Sequence, residues 1–296
     1  MATIAFIGLG NMGGPMAANL VRAGHVVKGF DLSPETGRAA KADGVAIADS
    51  AREAVARAEI VVTMLPAGKH VVSVWTDIVP AAAPGALLVD CSTIDVESAR
   101  RAHIIASEAG LPALDAPVSG GTVGAKGATL TFMVGGATEA YSRGEPILAT
   151  MGRRVVHCGE AGAGQAAKVC NNMILGISMI GISEAFVLAE KLGLSHQALF
   201  DVVSTSSGSC WALTTHCPVP GPVPTSAANN DYKPGFATDL MLKDLKLSQE
   251  AARATGAATP VGAEAAALYE RFQAEGHGAE DYSAIVRFLR DGKGAG

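Results

Sequence analysis

Lys168 is the only charged side chain between Ala161 and Ser183. At helical spacing its neighbours are Gly164, Gln165, Asn171 and Asn172, none of them acidic, so no local ion pair accounts for it. An amine placed apart from carboxylates can lose its proton where its surroundings lower its pKa, which suits it to general acid/base work. The competing reading is a surface lysine whose alkyl stem lies along an apolar helix. Asn172, one turn further on, sets an amide on the same face and favours the chemical reading. The segment Asp115-Ala-Pro-Val-Ser119-Gly120-Gly121 follows an apolar run. Such a turn can bind an anion through backbone N–H groups and a hydroxyl, or can be an ordinary loop. Lys243 and Asp244 form a second charged pair of residues, although Asp239 lies four positions earlier and offers Lys243 a plain surface partner.

A third constellation stands at the start of the chain. Gly8-Leu9-Gly10-Asn11-Met12-Gly13 follows a strand-like run and opens a helix-like one. Glycines at this spacing permit a tight turn and let a pyrophosphate reach backbone N–H groups at a helix N-terminus. Asp31 comes 18 residues after Gly13, at the end of the next apolar run. A carboxylate there accepts from the adenosine ribose 2′-OH and repels a 2′-phosphate, so NAD is expected over NADP. The bland alternative makes Asp31 a turn residue ahead of Ser33-Pro34.

The elements that must carry these residues can be read from periodicity. Up to about residue 160, short apolar runs alternate with helical patterns such as Ser50–Ala58. Strands are expected at Ile4–Ile7, Val26–Phe30, Ile60–Leu65, Leu87–Asp90 and Leu114–Ala116. Alternation of this kind makes a mostly parallel sheet, and the unbroken run Ile60–Leu65 suits a strand covered on both faces. After Gly164 no convincing strand is found. Gln165–Lys191 reads as one helix, about 40 Å long, and Ser195–Ser204, Asp239–Ala254, Val261–Gln273 and Ser283–Leu289 as shorter ones. A Pro-, Gly- and Asn-rich stretch, Cys217–Gly235, is long enough to imply a role beyond connection. The expected fold is therefore α/β: an N-terminal Rossmann-type doubly wound sheet over 1–161, then an all-α domain built on a long helix over 162–296.

Bulk properties narrow the classes of function. The 296 residues are 49% hydrophobic and carry a net charge of −5 with no basic run, so nucleic acid is not an expected partner. The five cysteines are odd in number and contain no Cys-x-x-Cys pair, so neither a disulfide framework nor a thiolate metal site is expected. The first apolar run has no charged leader and meets a glycine motif at once, and no run of about 18 apolar residues occurs. These features point to a cytoplasmic protein without a membrane span.

Several ordered motifs together resemble the β-hydroxyacid dehydrogenase family, and within it the 3-hydroxyisobutyrate dehydrogenases. They are Phe6-Ile-Gly-Leu-Gly-Asn-Met-Gly13, Pro15-Met-Ala-Ala-Asn-Leu20, Met64-Leu-Pro66, Asp90-Cys-Ser-Thr-Ile94, the Asp115–Gly121 turn, Gly162-Ala-Gly-Gln-Ala-Ala-Lys168-Val-Cys-Asn-Asn172 and Lys243-Asp244. The resemblance implies roles that spacing does not show. Lys168 would be the general acid/base and Asn172 a substrate ligand. Ser119, Gly120 and Gly121 would hold a carboxylate. Leu65, Pro66 and Thr93 would line the NAD site, and Lys243 and Asp244 would close it. Trp211 would stand near the substrate, although a core aromatic is the plain alternative. The implied reaction is NAD-dependent oxidation of a small 3-hydroxy carboxylate. For 3-hydroxyisobutyrate, a step of valine breakdown, the product is methylmalonate semialdehyde. L-serine oxidation and tartronate semialdehyde reduction remain open, as does an idle NAD-binding module on the same fold. Homodimers or homotetramers are implied. One departure stands out, since the family often has Tyr-Asn-Pro where this chain has His216-Cys217-Pro218. His216 is thus either a further titrating group or a packed neutral ring.

Overall fold

The computed structural model describes residues 1–292, which form two compact units, Met1–Lys168 and a second from Val169 onward. The first runs β1 (Thr3–Ile7), α1 (Gly13–Arg22), β2 (Val26–Phe30), α2 (Pro34–Ala42), β3 (Ala46–Ile47), α3 (Ala51–Val55), β4 (Ile60–Thr63), α4 (Gly68–Ile78), β5 (Leu87–Asp90), α5 (Val96–Glu108), β6 (Ala113–Asp115), β7 (Val118–Ser119), α6 (Gly121–Lys126), β8 (Leu130–Gly135), α7 (Thr138–Leu148) and β9 (Gly152–Gly159). The strands make one sheet in the order β3-β2-β1-β4-β5-β6-β8-β7, with β9 also on β8. Pairing is parallel from β3 through β6 and between β8 and β9, and antiparallel where β8 meets β6 and β7. Strand order reverses between β1 and β4, which opens a crevice at their carboxyl ends.

Both faces of this sheet are dry. Ile4, Phe6, Ile60, Val62, Leu87 and Val89 face one core, while Ala5, Ile7, Val61 and Leu88 face the other. Each large apolar side chain so buried contributes roughly 1.5–3 kcal/mol. That two-sided burial is why the central strands read as unbroken apolar runs.

Differences from the sequence expectations have local causes. β4 stops at Thr63 because the Leu65 N–H donates to the Ser92 hydroxyl at 2.8 Å and so leaves the ladder. β6 begins one residue early and ends at Asp115. Four strands were not anticipated: β3, β7, β8 and β9. The longest of them, β9, carries exposed Arg153 and Arg154 and a half-buried His157, a pattern that an outer strand tolerates and that lacks an apolar run.

The second unit is helical. Its elements are the rest of α8 (Ala163–Lys191), then α9 (His196–Val203), α10 (Trp211–Thr214), α11 (Thr238–Thr255), α12 (Pro260–Phe272) and α13 (Ile285–Arg290). α8 starts two residues before the expected Gln165. The expected Ser283–Leu289 helix is a 3-10 turn, Tyr282–Ala284, running into α13. α9 has Ser195 as its N-cap, the hydroxyl accepting from Ala198 N–H. By length and composition α8 could cross a membrane, since its most apolar stretch has a mean hydropathy of 1.7. The stretch holds no unbroken apolar run, because Gly and Ser interrupt it. In this fold Met179, Ile180 and Phe186 of α8 instead enter the core of the second unit, with Leu245, Tyr269 and Phe272. The Cys217–Gly235 stretch is packed as well, for Cys217, Val219, Val223, Ala228 and Tyr232 join the same core.

Candidate functional site

The glycine loop between β1 and α1 is built without room for side chains on its protein side. A Cβ on Gly13 would lie 1.9 Å from the Gly8 carbonyl oxygen. Gly10 differs, for among the described residues nothing beyond its chain neighbours lies within 4 Å of the position its Cβ would take. α1 has no side-chain cap and no acidic residue in its first turn, so its positive end is left for an external anion. Asp31, after β2, is half-buried; one oxygen accepts from Leu9 N–H at 2.7 Å and the other from Ser33 N–H at 2.8 Å. Asp31 thus makes the turn bond expected ahead of Ser33-Pro34 with one oxygen and holds the glycine loop at Leu9 with the other. A tight glycine turn, an uncapped helix start and a fixed carboxylate form a cradle that fits the pyrophosphate and adenosine ribose of a dinucleotide.

The next two loops at this end of the sheet are tied together underneath. The Ser92 hydroxyl accepts from Leu65 N–H and donates to Asp90 Oδ1 at 2.6 Å. Thr63 donates to that same oxygen at 2.7 Å and accepts from the Trp75 indole N–H at 3.2 Å. Leu65 and Thr93 are half-buried and Pro66 is exposed. Asp90 is buried and its Oδ2 meets no donor among the described residues. Burial pushes this carboxyl up to about 6, against the opposing pull of the Ser92 and Thr63 hydrogen bonds.

That shift has a stability consequence. An acid whose folded value stands above its ordinary 3.8 holds its proton more firmly in the folded state, so its favourable share is complete at low pH and is lost between about 4 and about 6. The size is about 3 kcal/mol, from 1.36 kcal/mol per unit. Urea unfolding of wild type and Asp90→Asn at pH 4 and pH 7 reads this directly. Wild type should lose roughly that amount relative to the variant on going to pH 7. A difference that ignores pH would contradict the buried-acid account.

Lys168 is 6% exposed, which removes the surface-lysine reading. It lies in the second turn of α8, whose start is fixed by Asp115. That carboxylate accepts from Gly162 N–H at 2.8 Å and Gln165 N–H at 3.0 Å, and His103 Nε2 lies 3.0 Å from it. The Gln165 side chain reaches the Ser92–Ile94 segment, donating to Ser92 O at 2.7 Å and accepting from Ile94 N–H at 3.1 Å. Ser119 ends β7, Gly120 is the N-cap position of α6 and Gly121 its first residue, so backbone N–H groups gather there without a side-chain cap. Sequence reasoning missed Asp90, Ser92 and Gln165 as participants. The available signal was polar residues of the 90–94 and 162–172 motifs in otherwise apolar surroundings.

In the second unit, Asn172 is buried one turn beyond Lys168 along α8 and donates to Asp244 Oδ2; its own Oδ1 accepts from Asn171 at 2.9 Å. Lys243 Nζ is 3.2 Å from Asp244 Oδ1, ion-pair distance without hydrogen-bond alignment. Asp239 accepts from Gln273. Trp211 is 52% exposed, so it is not a core aromatic. Its ring stacks on His216 at 5.5 Å, and His216 stacks on Tyr282 at 5.1 Å. His216 Nε2 lies 2.7 Å from Asp281 Oδ1. Burial pushes the Asp281 carboxyl up, but the His216 hydrogen bond and charge, with the Ser283 hydrogen bonds, hold it below the ordinary carboxylate value.

Residues 3–159 match the family described as the NAD binding domain of 6-phosphogluconate dehydrogenase, and residues 162–289 the family described as NAD-binding of NADP-dependent 3-hydroxyisobutyrate dehydrogenase. A probable 3-hydroxyisobutyrate dehydrogenase of Mycobacterium tuberculosis is 58% identical over 98% of each chain. An NAD-dependent L-serine dehydrogenase of Pseudomonas aeruginosa is 46% identical, again over 98% of each. The solved structure of Mycobacterium tuberculosis 3-hydroxyisobutyrate dehydrogenase with L-serine superposes with a TM-score of 0.95 at 57% identity, covering 98% of this chain and 99% of the other.

Proposed function

The chain belongs to the 3-hydroxyisobutyrate dehydrogenase family of NAD-binding oxidoreductases, and on that premise we propose that it oxidises 3-hydroxyisobutyrate to methylmalonate semialdehyde with NAD. The observation that carries this reading is the buried Lys168, on a helix whose first turn is tied to the Ser92–Ile94 segment. NAD, when bound, supplies the hydride acceptor. Neutral Lys168 takes the proton of the substrate hydroxyl as the C–H bond breaks, and its ammonium returns the proton to the carbonyl in reverse. Ser119, Gly120 and Gly121 hold the substrate carboxylate through the hydroxyl and backbone N–H groups. Gly8, Leu9, Gly10, Asn11, Met12 and Gly13 receive the pyrophosphate, Asp31 the ribose, and Leu65, Pro66 and Thr93 border the cofactor. Of the helical unit's residues, Asn172, Trp211 and Asp244 are assigned to the substrate and Lys243 to the cofactor.

L-serine is the second reading. It is favoured by the substrate in the name of the Pseudomonas aeruginosa relative and by the amino acid held in the solved relative. The two acids share the carboxylate and the primary alcohol and differ in the group on C2, methyl or ammonium. The deciding assay follows nicotinamide absorbance with both acids side by side, and NADP as a control. A higher kcat/KM for 3-hydroxyisobutyrate with NAD supports the first reading. A higher value for L-serine moves the assignment to the second, and turnover of neither overturns both.

The cytoplasmic placement is supported by five cysteines, all free. A homodimer or homotetramer formed through the helical unit is supported by its exposed apolar side chains. Ile174 and Leu188 of α8, Leu192, Leu194, and Val202 of α9 are each at least 44% exposed. Light scattering after size exclusion should give a multiple of 30.0 kDa. A monomer mass at micromolar concentration would count against it.

A further inference from the structure

Gln165 makes more contacts than a helix residue needs. It is fully buried, and its side-chain amide bonds two backbone groups that flank Thr93, Ser92 O at 2.7 Å and Ile94 N–H at 3.1 Å. Its own N–H is taken by Asp115 Oδ2 at 3.0 Å. The turn that carries it is pressed against the sheet, since a Cβ on Gly164 would lie 2.4 Å from Met133 O and 2.5 Å from Asp115 O. The first turn of α8 therefore has no freedom to slide or roll without breaking these bonds. Lys168 lies three residues further along that rigid helix.

We propose that Gln165 is a positioning residue for the transfer step: it registers the Lys168 amine against the Ser92–Ile94 segment, and so against the cofactor-facing Thr93. This rests on the reading of Lys168 as the general base. Proton removal and hydride departure occur together on one substrate carbon–oxygen unit, so the base and the cofactor wall must keep a fixed separation. Misplacement by about 1 Å can cost on the order of 100-fold in rate. A side chain that grips the cofactor-side segment while riding one turn from the base is placed to set that separation.

A buried amide also contributes to folding, so lost activity alone cannot separate the two roles. The test is a double-mutant cycle in the full-length enzyme with Lys168→Ala. Gln165→Leu, similar in volume and without hydrogen bonds, should lower kcat about 10- to 100-fold. NAD affinity by calorimetry should stay within about threefold, and the deuterium isotope effect on kcat should rise as the hydride step becomes limiting. On the Lys168→Ala background the same change should cost less than about twofold, because the group it positions is gone. Equal losses on both backgrounds, or a kcat in Gln165→Leu equal to wild type, would overturn the proposal. If the Leu variant does not fold, Gln165→Glu serves in the same cycle, since it keeps an oxygen for Ile94 N–H and loses only the donor to Ser92. If Lys168→Ala with Gln165 intact retains turnover, the base assignment fails, and that failure is read independently of Gln165.

Discussion

Lys168→Ala is expected to lower kcat by about 100- to 10,000-fold, the range that general acid/base help contributes, while NAD affinity changes by no more than about twofold. The expectation follows from where the amine sits. Lys168 is almost fully buried on the second turn of α8, and the glycine loop that would take the pyrophosphate belongs to β1 and α1. Removing the amine leaves that loop and Asp31 untouched. Lys168→Arg should be about as inactive as Ala, because a guanidinium does not deprotonate at working pH. Lys168→Met keeps the apolar stem and serves as the folding control. The base reading also predicts that the acidic limb of the kcat/KM profile disappears in all three variants, since that limb reports deprotonation of the free enzyme's base. Turnover within tenfold of wild type in Lys168→Ala would remove Lys168 from the chemistry.

Gly13→Ala and Gly10→Ala are expected to fail in different ways, and the contrast is the second large effect. At Gly13 the new methyl would stand 1.9 Å from the Gly8 carbonyl oxygen, a backbone atom that cannot step aside. The loop or α1 must shift, and both NAD binding and melting temperature should drop, the former by at least about 100-fold given the close fit that the pyrophosphate requires. At Gly10 the methyl meets nothing within 4 Å among the described residues beyond its chain neighbours, and the backbone there is not in the left-handed region. Gly10→Ala should therefore leave thermal unfolding unchanged or slightly raised, because alanine restricts the unfolded chain. Its NAD affinity should still fall about 10- to 100-fold, because on the proposed reading that space takes the pyrophosphate. Full NAD affinity in Gly10→Ala would mean that the pyrophosphate lies elsewhere.

What could be read from the sequence depended on how local each signal was. The spans of β2 and β5 match the expectations residue for residue; β5 is buried at every position, as a central parallel strand should be, whereas β2 is legible despite its half-buried Lys28. β9 was invisible, because an outer strand with Arg153, Arg154 and His157 has no run to notice. Lys168 could be picked out because a single charge in an apolar helix is conspicuous. Gln165 could not, because its two side-chain partners are 71 and 73 positions away in the chain. The same holds for His216, whose buried partner Asp281 is 65 positions further on. The i,i+4 rule pointed Lys243 at Asp239 and passed over its immediate neighbour Asp244, which lies 3.2 Å from it. Periodicity and spacing see one element at a time, whereas side-chain networks join elements that only the fold brings together.

The stretch from Cys217 to Gly235 looks in composition like a free loop, the kind of place an engineer would choose for an epitope tag or a grafted peptide. Its packing says otherwise. Tyr232 is buried, adopts a left-handed backbone with its neighbour Asp231, and donates its hydroxyl to Pro218 O at 2.7 Å, closing the stretch into a knot. Val219 and Val223 fill the space inside. A tag inserted there would expel part of a core, so the segment should resist proteases and reject grafts despite its proline, glycine and asparagine content.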